Sequence, residues 1–243
     1  MSEKPYYLAY ESRYQTLLAA GGTEWGHEVG DEGLAALLAE WAEHHQLRGK
    51  SIIEFACGMG APGVLLSRLG CRYHGTDASP TAVEKTRELL RDFPGARVDV
   101  LDMVKDTTGE CYDAALECSS LHMLVADADR AAYLRNACNS LKSGAPMLFC
   151  DVGYGRNAYS GPVDSPEQWR ALFDEDFTTP QQRFVKSGDK QVEVWLPTLP
   201  ARGRNREDYI AEMTAAGFIV DALIENADPG QEPRSANIFV HKP

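Results

Sequence analysis

The run SIIEFACGMGAPG, Ser51 to Gly63, constrains this chain more than any other stretch. Ile52, Ile53 and Phe55 are β-branched or aromatic and suit a buried strand, Glu54 sets a carboxylate near its end, and Gly58, Gly60 and Gly63 allow a tight turn with close backbone approach. Pro62 suits the first turn of a helix, so the segment reads as strand, glycine loop and helix start, the shape of a ligand cradle.

Gly58-x-Gly60-x-x-Gly63 also matches the dinucleotide fingerprint, and charge separates the two ligand classes. A carboxylate at Glu54 repels a bound pyrophosphate: at ~5 Å and an effective dielectric of ~20, each pair of unit charges costs roughly 3 kcal/mol. The same carboxylate attracts a ligand that carries an ammonium and a sulfonium. The run E-F-A-C-G-M-G is similar to the acidic-x-x-x-Gly-x-Gly signature of class I S-adenosylmethionine (SAM) methyltransferases.

Further motifs extend that resemblance. CRYHGTDASP reads as a second strand ending, about 20 residues on, at Asp77, where nucleotide-binding βαβ units keep an acid for the ribose hydroxyls. Ser79-Pro80 opens a helix over TAVEKTRELLRDF, with Ala82, Val83, Leu89 and Leu90 as its apolar positions. ARVDVLDM is a third strand ending at Asp102-Met103, and YDAALECSSLHML a fourth that runs into a loop. The resemblance covers Leu34 to Asp151 well and the rest loosely.

It implies an α/β fold: a doubly wound, mostly parallel, seven-stranded Rossmann-like sheet with N-terminal helices and an insertion after strand five. It implies SAM as cofactor. Glu54 and the backbone of Ala56, Cys57, Gly58 and Gly60 would face the methionine part, Asp77 the ribose and Ala78 the adenine. Asp102 would accept from the adenine amine, Met103 would pack on the ring, and Glu117 and Cys118 would sit where the methyl group emerges. ESRYQTLLAAGGTEWG resembles the N-terminal segment of thiopurine- and tellurite-type methyltransferases, in which Arg13, Tyr14 and Trp25 would close over SAM or else only pack the helix on the domain.

The 36 acidic and 24 basic residues give a formal charge of -12, a surface that repels phosphate backbones, so nucleic acid is a poor substrate and a small-molecule acceptor the better one. The ECSS run stands where many nucleic-acid amino-methyltransferases carry a D/N-P-P-Y-type run. MSEKPYYLAYESRY has no apolar signal core and no run approaches the ~20 residues of a membrane span, which points to a cytoplasmic protein without membrane contact. The six cysteines form no C-x-x-C pair and read as free thiols; no metal site is expected, and His44-His45 read as a polar helix face.

One domain is expected: a helical N-terminal segment over 1–48, a SAM-binding core over 49–153, an aromatic-rich substrate lid over 155–208, and a last helix and strand over 209–243. Within the lid, QQRFVKSGDKQVEVWLP reads as two strands joined at Ser187-Gly188-Asp189. Arg202, Arg204 and Arg206 either bind an acceptor carboxylate or form a solvated loop before a helix capped by Asn205.

His122 is the histidine after strand four that either acts as a base near neutral pH or is structural. Cys118 reads as a small wall residue, since Glu117 beside it opposes a thiolate. The implied reaction is in-line transfer of a methyl group to N, O or S of a small molecule. Two rivals stay open. An NAD(P)-dependent oxidoreductase is disfavoured by Glu54 and by the lack of a Tyr-x-x-x-Lys run; a non-catalytic SAM-binding protein is not excluded.

Overall fold

In the computed structural model, which describes every residue except 1–3, 24, 156–157, 175, 189 and 229, a 3₁₀ turn (Tyr6–Ala9) and helices α1 (Tyr10–Ala19) and α2 (Glu32–His44) precede the sheet. There follow β1 (Ser51–Phe55), α3 (Ala61–Arg68), β2 (Arg72–Asp77), α4 (Pro80–Leu90), β3 (Arg97–Val100), β4 (Ala114–Cys118), α5 (Asp127–Asn139) and β5 (Pro146–Gly153). The chain ends with α6 (Pro166–Phe173), a hairpin β6 (Pro180–Ser187) and β7 (Lys190–Pro197), α7 (Arg206–Ala215), β8 (Ile219–Asn226) and β9 (Ser235–His241).

Seven strands form one sheet in the order β3-β2-β1-β4-β5-β9-β8. The first five are parallel, and β9 runs antiparallel to both β5 and β8. The expected doubly wound α/β sheet is therefore present. Its strand order reverses between β1 and β4, and α/β sheets open a ligand crevice at the carboxyl ends of strands on either side of such a switch.

Near-continuous apolar runs make β1, β4 and β5 strands covered on both faces. One face packs Ile53, Phe55, Phe149 and Ile238 against Tyr133 and Leu134 of α5 and Tyr209 and Met213 of α7. The other packs Ile52, Leu116 and Leu148 against Leu38 and Trp41 of α2 and Leu66 of α3. Side-chain caps fix the helix starts: Asp31 accepts from the Leu34 amide, Ser79 from Ala82 and Asn205 from Asp208.

Several expectations are corrected. The third strand stops at Val100, because Asp102 folds back to accept from the Val104 amide in a turn. The helix after Ser79 ends at Leu90, and Leu89 faces solvent instead of the core. Between the expected last helix and last strand lies a further strand, β8, which carries no readable period, since only Leu223 along it is buried.

The hairpin forms as expected, with Pro180 opposite Pro197 and Ser187 opposite Lys190; Asp189 of the expected turn lies outside the described residues. Its Val185, Val194 and Leu196 pack on Tyr14 and Leu17 of α1. The arginine loop is not solvated. Arg202 is fully buried and Arg204 nearly so, and the Arg202 guanidinium donates to Asp127 Oδ1 at 2.7 Å and to the carbonyls of Val125 and Gly161. Arg204 donates to Asp127 Oδ1 at 3.1 Å and to the Tyr159 carbonyl at 2.9 Å. These acceptors offset the desolvation of the two cations, so the loop is a fastening for the segment after β5.

Candidate functional site

A cavity of about 610 Å³ opens over the carboxyl ends of β1, β2 and β4, at the switch point of the sheet. Its floor is the loop after β1. Ala56 and Gly58 both hold left-handed backbone, at φ 52° and 51°, which turns the chain sharply out of the strand. Gly60 (φ 84°) opens α3, and a Cβ there would lie 2.7 Å from a methyl carbon of Thr86, whose hydroxyl donates to the Gly58 carbonyl at 2.8 Å. The glycine is required both by its backbone and by that approach.

Two buried carboxylates flank the loop. Glu54 accepts a hydrogen bond from the Tyr73 hydroxyl, and burial pushes its pKa up to about 8. Asp77 accepts the Gly58 amide at 2.9 Å and the Ser79 amide at 2.8 Å; burial outweighs these bonds and raises it to about 6. Ala78, Asp102 and Met103 continue the wall beyond Asp77, and Asp102 accepts from the Tyr7 hydroxyl at 3.1 Å. Cys57 and Cys118 complete the inner wall, and burial pushes the Cys57 thiol well up; for Cys118 a hydrogen bond with the Cys150 thiol and burial act in the same direction.

The roof comes from both ends of the chain. Arg13 of α1 lies 5.2 Å from the ring centre of Tyr10 and 5.1 Å from that of Trp25, and donates to the Pro197 carbonyl at 2.5 Å. Glu11 ties α1 down by accepting from the hydroxyls of Ser79 at 2.5 Å and Thr81 at 2.7 Å. Phe184, Lys186 and Gln191 of the hairpin face the cavity. Arg13 and Trp25, singled out in the sequence, thus reach the chamber wall, and Tyr14 sets its hydroxyl where a Cβ on Gly58 would be 3.0 Å away.

Two of the residues expected at the site are not on its wall. Glu117 is wholly buried, accepts the Ser120 amide at 2.8 Å, the Leu121 amide at 3.2 Å and the Ser120 hydroxyl, and is pushed up to about 7 by burial. Successive strand residues point to opposite faces, so with Cys118 turned to the cavity Glu117 is turned to the core. His122 is half-buried: its Nδ1 accepts the Gly153 amide at 3.1 Å, and desolvation lowers its pKa to about 4. It braces the loop after β4 against β5 and is not among the residues that line the chamber.

His27, which sequence reasoning passed over, does line the chamber. The one signal for it was its place two residues after Trp25 in the run TEWGHE. Its ring atoms and the thiols of Cys118 and Cys150 lie within 4.8 Å of one another, and among the described residues these are the His, Cys and acidic side chains clustered closely enough to surround a metal ion. Among the described residues no helix is long and apolar enough to cross a membrane.

Comparison with known proteins bears on the same core. The profile of a family described as "Methyltransferase domain" matches residues 53–147. The chain is 26% identical over 152 residues to a ribosomal protein L11 methyltransferase of Aeromonas hydrophila, covering 59% of this chain and 51% of that protein. It is 28% identical over 120 residues to a cypemycin N-terminal methyltransferase of a Streptomyces species, covering 48% of each. The chain thus spans about half the length of these two curated relatives. Over 97% of its length it superimposes on 98% of a S-adenosylmethionine-dependent methyltransferase from Clostridium acetobutylicum, with a TM-score of 0.66 at 15% identity. Sheet order and whole-chain superposition agree on the class I methyltransferase fold, and the profile match at residues 53–147 falls on the core of that sheet.

Proposed function

We propose that the protein is a SAM-dependent methyltransferase whose acceptor is a small molecule. The observation that carries this reading is the pair of buried carboxylates, Glu54 and Asp77, on either side of a left-handed glycine loop at the switch point. A carboxylate held out of water at this cost is offset by a cationic ligand and opposes a pyrophosphate. The residues fit the cofactor. Glu54 would pair with its ammonium group, Asp77 would accept from the ribose hydroxyls, and Asp102 and Met103 would meet the adenine.

When bound, SAM would supply a sulfonium methyl group whose carbon an acceptor attacks in line, with the thioether as leaving group. The chain's own part is to hold the acceptor on that line and keep water out, which the Arg13, Trp25 and Phe184 roof serves. A roofed chamber of about 610 Å³, within the usual size of small-molecule pockets, leaves room beside the cofactor for a small acceptor. The formal charge of -12 disfavours nucleic acid. The names of the two curated relatives point to a ribosomal protein and a peptide N-terminus as their acceptors, so a protein substrate is the second reading; the roof argues against it. Six free thiols suit a cytoplasmic setting.

Calorimetry with SAM, S-adenosylhomocysteine and NADH tests the cofactor: the first two are expected to bind and the third is not. Transfer of a tritiated methyl group to a metabolite panel, against transfer to intact ribosomal protein, then tests the acceptor. Label found only in protein would favour the second reading.

A further inference from the structure

We propose that His27 is the base that takes the acceptor's proton, and that the acceptor is an amine arriving as its ammonium ion. This rests on the methyltransferase reading. His27 hangs from the segment between α1 and α2, with its Nδ1 3.4 Å from Asp31 Oδ2 and its Nε2 3.3 Å from the Ser119 hydroxyl and 3.8 Å from Asp151 Oδ2. A carboxylate only accepts, and Asp31 is the nearer of the two, so the tautomer with its proton on Nδ1 satisfies it and turns the Nε2 lone pair toward Ser119 on the chamber wall.

The backbone is shaped to this cluster. Ser119 and Asp151 are the residues directly after the paired positions Cys118 and Cys150 of β4 and β5, and both hold left-handed backbone without being glycine, at φ 59° and 53°. Such conformations cost about 1–3 kcal/mol each and gather at functional sites. Here they carry both side chains to the one histidine on the chamber wall. The groups facing His27 are Glu28 and Asp31 from its own segment, Cys118 and Ser119 after β4, and Cys150 and Asp151 of β5, with Lys186 of the hairpin engaged by Glu28.

The other wall groups are committed or unsuited. Glu54, Asp77 and Asp102 face the cofactor, and burial pushes the hydroxyls of Tyr10 and Tyr14 upward. Asp31 and Asp151 beside the imidazole favour a cationic acceptor, and they repel a thiolate, phenolate or carboxylate. In the step, the ammonium N–H proton passes to His27 Nε2, and the freed nitrogen lone pair forms the N–CH₃ bond. The C–S bond breaks with its electron pair on sulfur, so the sulfonium becomes a neutral thioether. The proton on His27 then leaves to solvent past Asp151, whose side chain is 40% exposed.

The test uses the whole protein, tritiated SAM and three probes of one skeleton: 2-phenylethylamine, 4-ethylphenol and 2-phenylethanethiol. The amine alone is expected to bind the S-adenosylhomocysteine complex and to be methylated. His27→Gln should lower the turnover rate by about 10²–10⁴-fold with SAM affinity unchanged. Its rate should then climb only where free amine accumulates, well above neutral pH, whereas the wild type turns over near neutrality. Asp31→Asn, which keeps the α2 cap, should give a smaller loss that moves the same limb of the profile, marking Asp31 as a positioning residue.

Full activity in His27→Gln overturns the base. Transfer to the phenol or thiol but not the amine overturns the acceptor class, as does failure of all three probes to bind while SAM still binds. Stoichiometric zinc whose removal by chelation abolishes activity would make His27 a ligand with Cys118 and Cys150 and overturn the proposal. Loss of SAM binding in the wild type would instead remove the reading beneath it.

Discussion

Asp77 Oδ2 accepts the Gly58 amide at 2.9 Å, so the end of β2 holds the shape of the loop after β1. The same carboxylate takes the Ser79 amide on its other oxygen. It is at once a ligand group and a brace.

Asp77→Ala should therefore cost twice. SAM binding should weaken by roughly 1.5–3 kcal/mol, the worth of hydrogen bonds to a charged acceptor, and the unfolding free energy should fall by about 1–3 kcal/mol as two amides lose their acceptor. Calorimetry and urea melts separate the two effects. Unchanged SAM affinity in a folded variant would remove Asp77 from the cofactor site.

Affinity for SAM should rise with pH between about 6 and 8. Glu54 is raised from 4.5 to about 8 and Asp77 from 3.8 to about 6, so the ligand-free fold holds both protons more tightly than the unfolded chain does. The stability this gives is fully present below the unfolded values and is lost as pH rises through 6 and then 8. A cationic ligand reverses that loss by pairing with the ionised forms. Glu54→Gln should flatten both the affinity profile and the upper part of the melting profile.

His122→Gln should lower stability by about 1 kcal/mol through the weakened bond to the Gly153 amide, and leave turnover and its pH profile intact. The histidine is lowered from 6.5 to about 4, so its contribution is present above 6.5 and lost as pH falls through 4. Melts across that range should show the acid-side loss in the wild type and less of it in the variant. A hundredfold fall in turnover with SAM binding intact would contradict this.

Asp127→Ala should be among the costliest single changes outside the core. It leaves the fully buried Arg202 without its carboxylate, at about 3 kcal/mol. Chemical denaturation of this variant should show a lower midpoint, and Arg206→Ala, which removes only a pair with Glu225 near the surface, should not.

Binding of S-adenosylhomocysteine should slow hydrogen exchange in α1 and in the hairpin as well as in the glycine loop, because Arg13 joins the first two over the chamber. Arg13→Ala should restrict the protection to the loop.

The cradle was readable because its signals are local. Strand, carboxylate, glycine loop and capped helix follow one another over Ser51 to Pro80, and each residue's neighbours in the chain are its neighbours in space. The misreadings share one cause. Arg202 and Arg204 look solvated in a charged loop, but their acceptors at Asp127 and Val125 lie more than 70 positions away. His122 reads as either a base or a structural group until Gly153 claims its ring. His27 looks idle until Ser119 and Asp151 meet it from two separate strands. Burial of a polar side chain by distant chain leaves no local mark.

That Arg13 reaches Pro197, 184 positions on, also orders the events of synthesis. Chains emerge from the ribosome amino end first, and contiguous segments close their contacts before remote ones arrive. The cradle draws only on residues between β1 and β4, so it can assemble while the hairpin is still being made. Helix α1, though it precedes the sheet in the chain, is held until then by Ser79 and Thr81, by Met123 beside the Tyr10 hydroxyl, and by Tyr14 packed with Met59 and Ala82, and it lacks its hairpin contacts. A helix that precedes the whole sheet in the chain takes its final place among the last, and the chamber is enclosed only once the hairpin has been made.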